Sequence, residues 1–188
     1  MFYKPQQIER LWDTWMYHHD GVFYLYHLAT DCSPGEGICL ATSSDGVHWQ
    51  ERGVIFPKSD EAAWLGTGSV WPHPTQAGRF VMNFSEWLGP FTYGGSEGQQ
   101  IIRFAVSDDL VHWTRLGEEF DFAPDARWYR KDEGERSRWD CIYSFAENGR
   151  RYGYWTANPK ESHPGVGFGI SDDGLRWQAH PPPSIEWI

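Results

Sequence analysis

The chain is short of several things that would each have named a class. No apolar run approaches the ~20 residues of a membrane span. The first ten residues, Met1 to Arg10, contain no apolar stretch of the signal-peptide kind, which sets the expectation of a cytoplasmic protein. Positive charge is scarce: 16 Lys and Arg against 26 Asp and Glu leave a formal charge of −10. That balance disfavours nucleic acid, whose phosphates demand clustered Lys and Arg, and it disfavours anionic membrane surfaces. Cysteines number three, Cys32, Cys39 and Cys141, an odd count without metal-ligand spacing that reads as reduced thiols. Helical periodicity is almost missing; its best stretch, Gln6–Trp12, is short. No GxGxxG or Walker motif occurs, and no cofactor and no metal are expected.

Aromatic residues are abundant instead. Twelve Trp, nine Tyr and eleven Phe exclude a disordered chain, which would be poor in them. A Trp in a β-rich protein is ordinarily a core anchor; its other use is to stack on the flat face of a sugar ring.

The order of these residues repeats. Residues 43–49 read SSDGVHW, 107–113 read SDDLVHW and 171–177 read SDDGLRW, so that both the leading serines and the closing tryptophans recur at intervals of 64. Ahead of each lies an aromatic, β-prone run that opens on glycine: Gly21–Leu28, Gly78–Ser85 and Gly149–Thr156. Asp20-Gly21 and Asn148-Gly149 are hairpin turns of the strongest kind. A further strand is expected at Gly37–Ser43, Gln99–Ser107 and Gly165–Ser171, then a tight acidic turn, then a fourth strand opened by the tryptophan. Four antiparallel strands per unit predict an all-β protein, a β-propeller with blades near 1–58, 59–122 and 123–188. A stacked β-sandwich is the other architecture, but sandwiches do not normally repeat at a strict interval. Three blades do not close a ring of four to eight, so the expectation is the N-terminal part of a longer propeller, truncated or completed by another chain.

The first strand of each blade lines the central channel of a propeller. Those segments are Trp12-Asp13-Thr14-Trp15, Trp64 to Trp71 and Arg138-Trp139-Asp140-Cys141. Asp13 and Asp140 stand 127 residues apart, one short of two repeats, and should reach one cavity from different blades. Two carboxylates in an aromatic pocket are the equipment of glycoside hydrolysis. The ordinary role of an Asp at a strand start is to cap a turn; repeat-related placement beside Trp argues against it here. His18-His19 and His73 make poor metal ligands, since neighbours on a strand point to opposite faces. Asp45, Asp108, Asp109, Asp172 and Asp173 read as turn caps, similar to the Asp-box of sialidases with the glycine spacing one residue short. The mixed-charge run Arg127–Arg138 reads as a solvated loop that leads to Asp140.

These motifs resemble the N-terminal five-bladed propeller of glycoside hydrolase family 32, the invertase, levanase and inulinase family, and related propeller glycosidases. Trp12–Leu28 (WDTWMYHHDGVFYLYHL) is similar to that family's first-blade motif and Tyr-His-Leu strand. SSDGVHW and SDDLVHW are similar to its Ser-x-Asp-Leu-Val-His-Trp, Gly66-Thr67-Gly68-Ser69 to its Phe-Ser-Gly-Ser, and Arg138-Trp139-Asp140 to its Arg-Asp-Pro with one residue inserted. The resemblance implies Asp13 as nucleophile, Asp140 as transition-state stabiliser assisted by Arg138, and a Glu as general acid. Glu186 stands nearest the expected place, although Trp187 replaces the family's Cys; an acid beyond residue 188 and Glu86 are the alternatives. Trp12, Trp15, Trp64, Thr67, Ser69, Trp71 and Arg138 would contact an oligosaccharide or disaccharide, with β-fructosides as the implied substrates. Against this stands a non-catalytic carbohydrate-binding or degenerate propeller fragment. Exposed blade edges would in any case favour self-association.

Overall fold

The computed structural model describes residues 3–6, 11–29, 37–90, 98–131, 138–161 and 165–183. Three four-stranded antiparallel sheets follow one another along the chain. Sheet 1 holds β1 (Leu11–His19), β2 (Val22–Ala29), β3 (Gly37–Ser43) and β4 (Gln50–Pro57). Sheet 2 holds β5 (Ala62–Pro72), β6 (Phe80–Leu88), β7 (Gln99–Ser107) and β8 (Thr114–Arg115). Sheet 3 holds β9 (Trp139–Glu147), β10 (Arg150–Ala157), β11 (Gly165–Ser171) and β12 (Gln178–His180). Strands meet in sequence order within each sheet, a simple meander. The only helical segment among the described residues is one 3-10 turn, Glu118–Phe120. The helical reading of Gln6–Trp12 fails where it can be checked: Leu11 and Trp12 lie in β1, and residues 7–10 are outside the described residues.

The hairpins sit where the turn glycines put them. Asp20 and Gly21 both have positive φ, as do Asn148 and Gly149, the backbone that a two-residue hairpin turn with right-handed strand twist requires. The acidic turns work by one repeated device. Ser43 Oγ accepts from Gly46 N–H at 2.8 Å, and Asp45 Oδ1 accepts from Val47 and His48 N–H at 2.8 Å each. Ser107 with Asp109, and Ser171 with Asp173, repeat the pattern. Only the second Asp of each pair caps; Asp108 and Asp172 reach instead toward Arg79 and Arg150. The Asp45 carboxyl is held well below the usual range by the His48 side chain and by these amides.

The core lies between sheets. Tyr26, Ile38, Leu40 and Phe56 of sheet 1 meet Leu65, Met82 and Phe84 of sheet 2. Trp71, Val81 and Phe104 of sheet 2 meet Trp139, Ile142 and Trp155 of sheet 3. Alternation puts successive side chains on opposite faces, so sheet 2 is covered on one by sheet 1 and on the other by sheet 3. Buried polar atoms cross the same boundaries: Tyr26 donates to Leu110 O at 2.7 Å, and Trp139 Nε1 to Phe122 O at 2.7 Å. The outer strands of sheets 2 and 3 are only two and three residues long, and β4 departs twice from regular register, devices that blunt an edge.

Candidate active site

The first strands of all three sheets are bulged near their starts. On β1 the register passes from Trp12 opposite Leu28 to Thr14 opposite His27, and Asp13 is the extra residue, with φ of 22°. On β5, Leu65 faces Glu86 and Gly68 faces Phe84, leaving Gly66 and Thr67 against Ser85. On β9, Asp140 faces Thr156 and Tyr143 faces Tyr154, leaving Cys141 (φ 51°) and Ile142 against Trp155. A bulge bends its strand and re-aims the side chain it carries. The left-handed backbone at Asp13 and Cys141 costs on the order of 1 kcal/mol each and persists only where surroundings enforce it.

The three bulges meet. Thr67 Oγ1 donates to Asp13 Oδ2 at 2.9 Å. Cys141 Sγ lies 3.3 Å from Gly68 O. Gly66 packs so tightly on the Asp140 side that a Cβ there would stand 2.9 Å from Asp140 Oδ1 and 2.1 Å from Ser85 Oγ. Asp13 and Asp140, from sheets at opposite ends of the stack, thus flank the same stretch of β5.

Their surroundings differ. Asp13 is exposed and accepts a hydroxyl proton. Asp140 is buried; Ser85 donates to its Oδ1 at 2.6 Å and Arg138 Nη2 to its Oδ2 at 2.8 Å. Burial pushes the Asp140 carboxyl up, Ser85, Arg138 and Gln100 pull it down, and the charge of Asp13 raises it; the net direction is upward. Burial, then Asp140 and Asp13, push the Cys141 thiol up to about 12, so at neutral pH it is no thiolate nucleophile.

A raised carboxyl favours its neutral form in the folded state. Its stabilising contribution is complete below the unfolded value of about 3.9 and is lost as pH rises through the folded one. Ionised Asp140 therefore weakens the fold at neutral pH. The Tm of the wild type relative to Asp140→Asn is therefore expected to fall from pH 3 to pH 7, which thermal denaturation of both proteins at the two pH values measures.

Several expected sugar contacts are structural. Trp15 is 9% exposed and stacks on Tyr26; Trp71 is 3% exposed and packs edge-on to Phe104 and Trp177. Neither offers an indole face, because both point between sheets. Ser69 donates to Ile142 O at 2.5 Å and accepts from Asn83 Nδ2 at 2.7 Å, which ties sheet 2 to sheet 3. Trp12, by contrast, is 55% exposed beside Asp13. Trp64 is half-buried and stacked on Trp87 at 5.7 Å. Thr67 and Arg138 each hold one of the carboxylates. Glu86 is fully buried under Arg103 and Arg115, which removes it as an acid. Glu186 lies outside the described residues.

Ser85 and Gln100 were not singled out by sequence, although Ser85 closes the repeated run Gly78–Ser85 and Gln100 falls in the run Gln99–Ser107. Among the described residues no three His, Cys, Asp or Glu side chains converge as a metal set. A groove of about 450 Å³ lies at the other end of sheet 3, lined by Arg150, Asp172, Asp173 and Arg176. Two ion pairs among those four already occupy their charges.

Solved structures share this architecture. A family 117 glycoside hydrolase, Zg3597 of the marine bacterium Zobellia galactanivorans, superposes with a TM-score of 0.67 at 20% identity, over 91% of this chain and 55% of that one. Fructan 1-exohydrolase IIa of Cichorium intybus gives 0.71 at 14%, over 96% and 33%. Sucrose-6-phosphate hydrolase of Lactobacillus gasseri gives 0.67 at 18%, over 90% and 33%. The fold is that of the blades of propeller glycosidases, and the chain spans about a half to a third of the length of these structures. At such identities the likeness is one of fold. No protein-family model and no curated protein matches the sequence.

Proposed function

We propose that the chain forms part of a five-bladed, family-32-like propeller glycosidase that hydrolyses β-fructosides or related oligosaccharides. The observation that carries this reading is the meeting of Asp13 and Asp140 across the Gly66–Thr67 bulge, one carboxylate open to solvent and one clamped. Neighbours of the same fold include a fructan exohydrolase and a sucrose-6-phosphate hydrolase.

In this mechanism Asp13 attacks the anomeric carbon and the glycosidic C–O bond breaks. A carboxylic acid, for which Glu186 is the candidate, gives its proton to the leaving oxygen. Water, deprotonated by the same group, then cleaves the ester and frees the sugar and Asp13. The Thr67 hydroxyl keeps the attacking carboxylate in one rotamer. Asp140, with Arg138 beside it, faces the positive charge that develops on the ring and orients its hydroxyls. Trp12, the residue before Asp13, is 55% exposed and would be the sugar-stacking residue.

The test is incubation of the purified protein with sucrose, inulin, levan and a set of aryl glycosides, with released sugar read by chromatography. Fructose release from the fructosides is the expected result. Saturable sugar binding with no product from any substrate would replace the reading by that of a binding module.

A further inference from the structure

The chain of hydrogen bonds that reaches Asp140 has a direction, and the backbone fixes it. The Trp139 N–H can only donate, and it donates to Gln100 Oε1 at 3.2 Å. That contact pins the amide, turning its NH2 toward Ser85, where Nε2 donates to Oγ at 2.8 Å. With Gln100 supplying a proton to Oγ, the single Ser85 hydroxyl proton goes to Asp140 Oδ1, at 2.6 Å. Trp139, Gln100 and Ser85 are 0% exposed and Asp140 is 5% exposed, so the chain is shut away from bulk water. Gly66 seals it: a Cβ there would stand 3.1 Å from Gln100 Nε2 as well as crowding Ser85 and Asp140.

We propose that Gln100 and Ser85 are positioning residues that hold Asp140 as an acceptor-only carboxylate, Gln100 by setting the direction of the chain and Ser85 by delivering its proton. The logic is one of donors. Oδ1 faces a hydroxyl whose one proton is aimed at it, so that accepting from Asp140 would cost that hydroxyl its own bond, and Oδ2 faces the Arg138 guanidinium, which has no acceptor. A proton on either oxygen of Asp140 would meet a donor. The groups that bear on this carboxylate are Ser85 from β6, Gln100 from β7, Arg138 and Cys141 from its own strand and Asp13 from β1; of these, the Asp13 charge opposes ionisation. Loss of the chain leaves burial and Asp13 less opposed, and the carboxyl takes up a proton at higher pH.

The inference deepens the proposed function, in which the charge of Asp140 is what the sugar cation meets, but its test does not need a substrate. The Asp140 carboxyl carbon, assigned by comparison with Asp140→Asn, is titrated by NMR in protein carrying 13C-labelled aspartate. Ser85→Ala, which removes one atom, and Gln100→Met, which has no donor and adds no charge, should each raise the midpoint by about one pH unit or more. The acidic limb of kcat/KM should move by the same amount. A merely structural role would lower Tm and leave the midpoint in place. An unchanged midpoint in both variants overturns the proposal, even in an active enzyme. A raised midpoint in a protein that hydrolyses no glycoside keeps the proposal and removes the glycosidase reading.

Discussion

Asp13→Asn is expected to lower kcat/KM on the released fructoside by on the order of 10⁴-fold with almost no change in Tm. Under the proposed mechanism the change removes a covalent nucleophile and leaves only the catalysis supplied by binding and by the remaining charges. A factor of 10⁴ is about 5.5 kcal/mol of transition-state stabilisation. Stability is spared for local reasons. The residue is exposed, and the amide oxygen still accepts from Thr67 Oγ1. Asn also tolerates the positive φ that the bulge imposes better than Ala would. Steady-state kinetics beside a thermal melt checks both halves. Hydrolysis within tenfold of the wild type would remove Asp13 from the chemistry.

Glu86→Ala should do the reverse, damaging the fold by about 3–5 kcal/mol. The carboxylate is 0% exposed and accepts from Ser59 N–H and Oγ, from Arg103 Nη1 and from both terminal nitrogens of Arg115. Arg103 is itself buried and also binds Glu61 and Asp121. Arg115 lies over the rings of Phe56 and Phe84, at 4.7 and 4.9 Å, and is thereby fixed between sheets 1 and 2. Removing Glu86 takes a carboxylate from two guanidinium groups, that of Arg103 buried and that of Arg115 27% exposed, and leaves the void of the lost side chain. Against a total stability of 5–15 kcal/mol for an ordinary domain, that is a large share. Urea unfolding measures it; a loss under about 1 kcal/mol would show that Arg103 and Arg115 find adequate partners without Glu86.

The repeat made most of the fold legible. All three third strands begin and end where the turn residues place them, because Gly, Asp and Ser fix the chain reversals locally. The fourth strands start one residue after Trp49, Trp113 and Trp177. The sides of the tryptophans were not legible. Trp12 and Trp15 are three apart on β1, yet face Leu28 and Tyr26, two apart on β2, because Asp13 is inserted between them. An alternation rule counted through an unseen bulge sends the side chain to the wrong face. The two aspartates could be found because equivalent places in a repeat reach one axis. Ser85 and Gln100 could not, since their bonds to the Asp140 region join residues 55 and 39 apart in different sheets, and no local spacing announces such a meeting.

Sheet 1 and sheet 3 each rest on sheet 2, and the two aspartates belong to the outer pair. A boundary between two packed sheets can open at lower free energy than the whole fold. Opening of either boundary carries one carboxylate away from the other. For the proposed glycosidase, loss of the paired carboxylates is thus a smaller event than denaturation, and its working temperature is set by the weaker of the two boundaries.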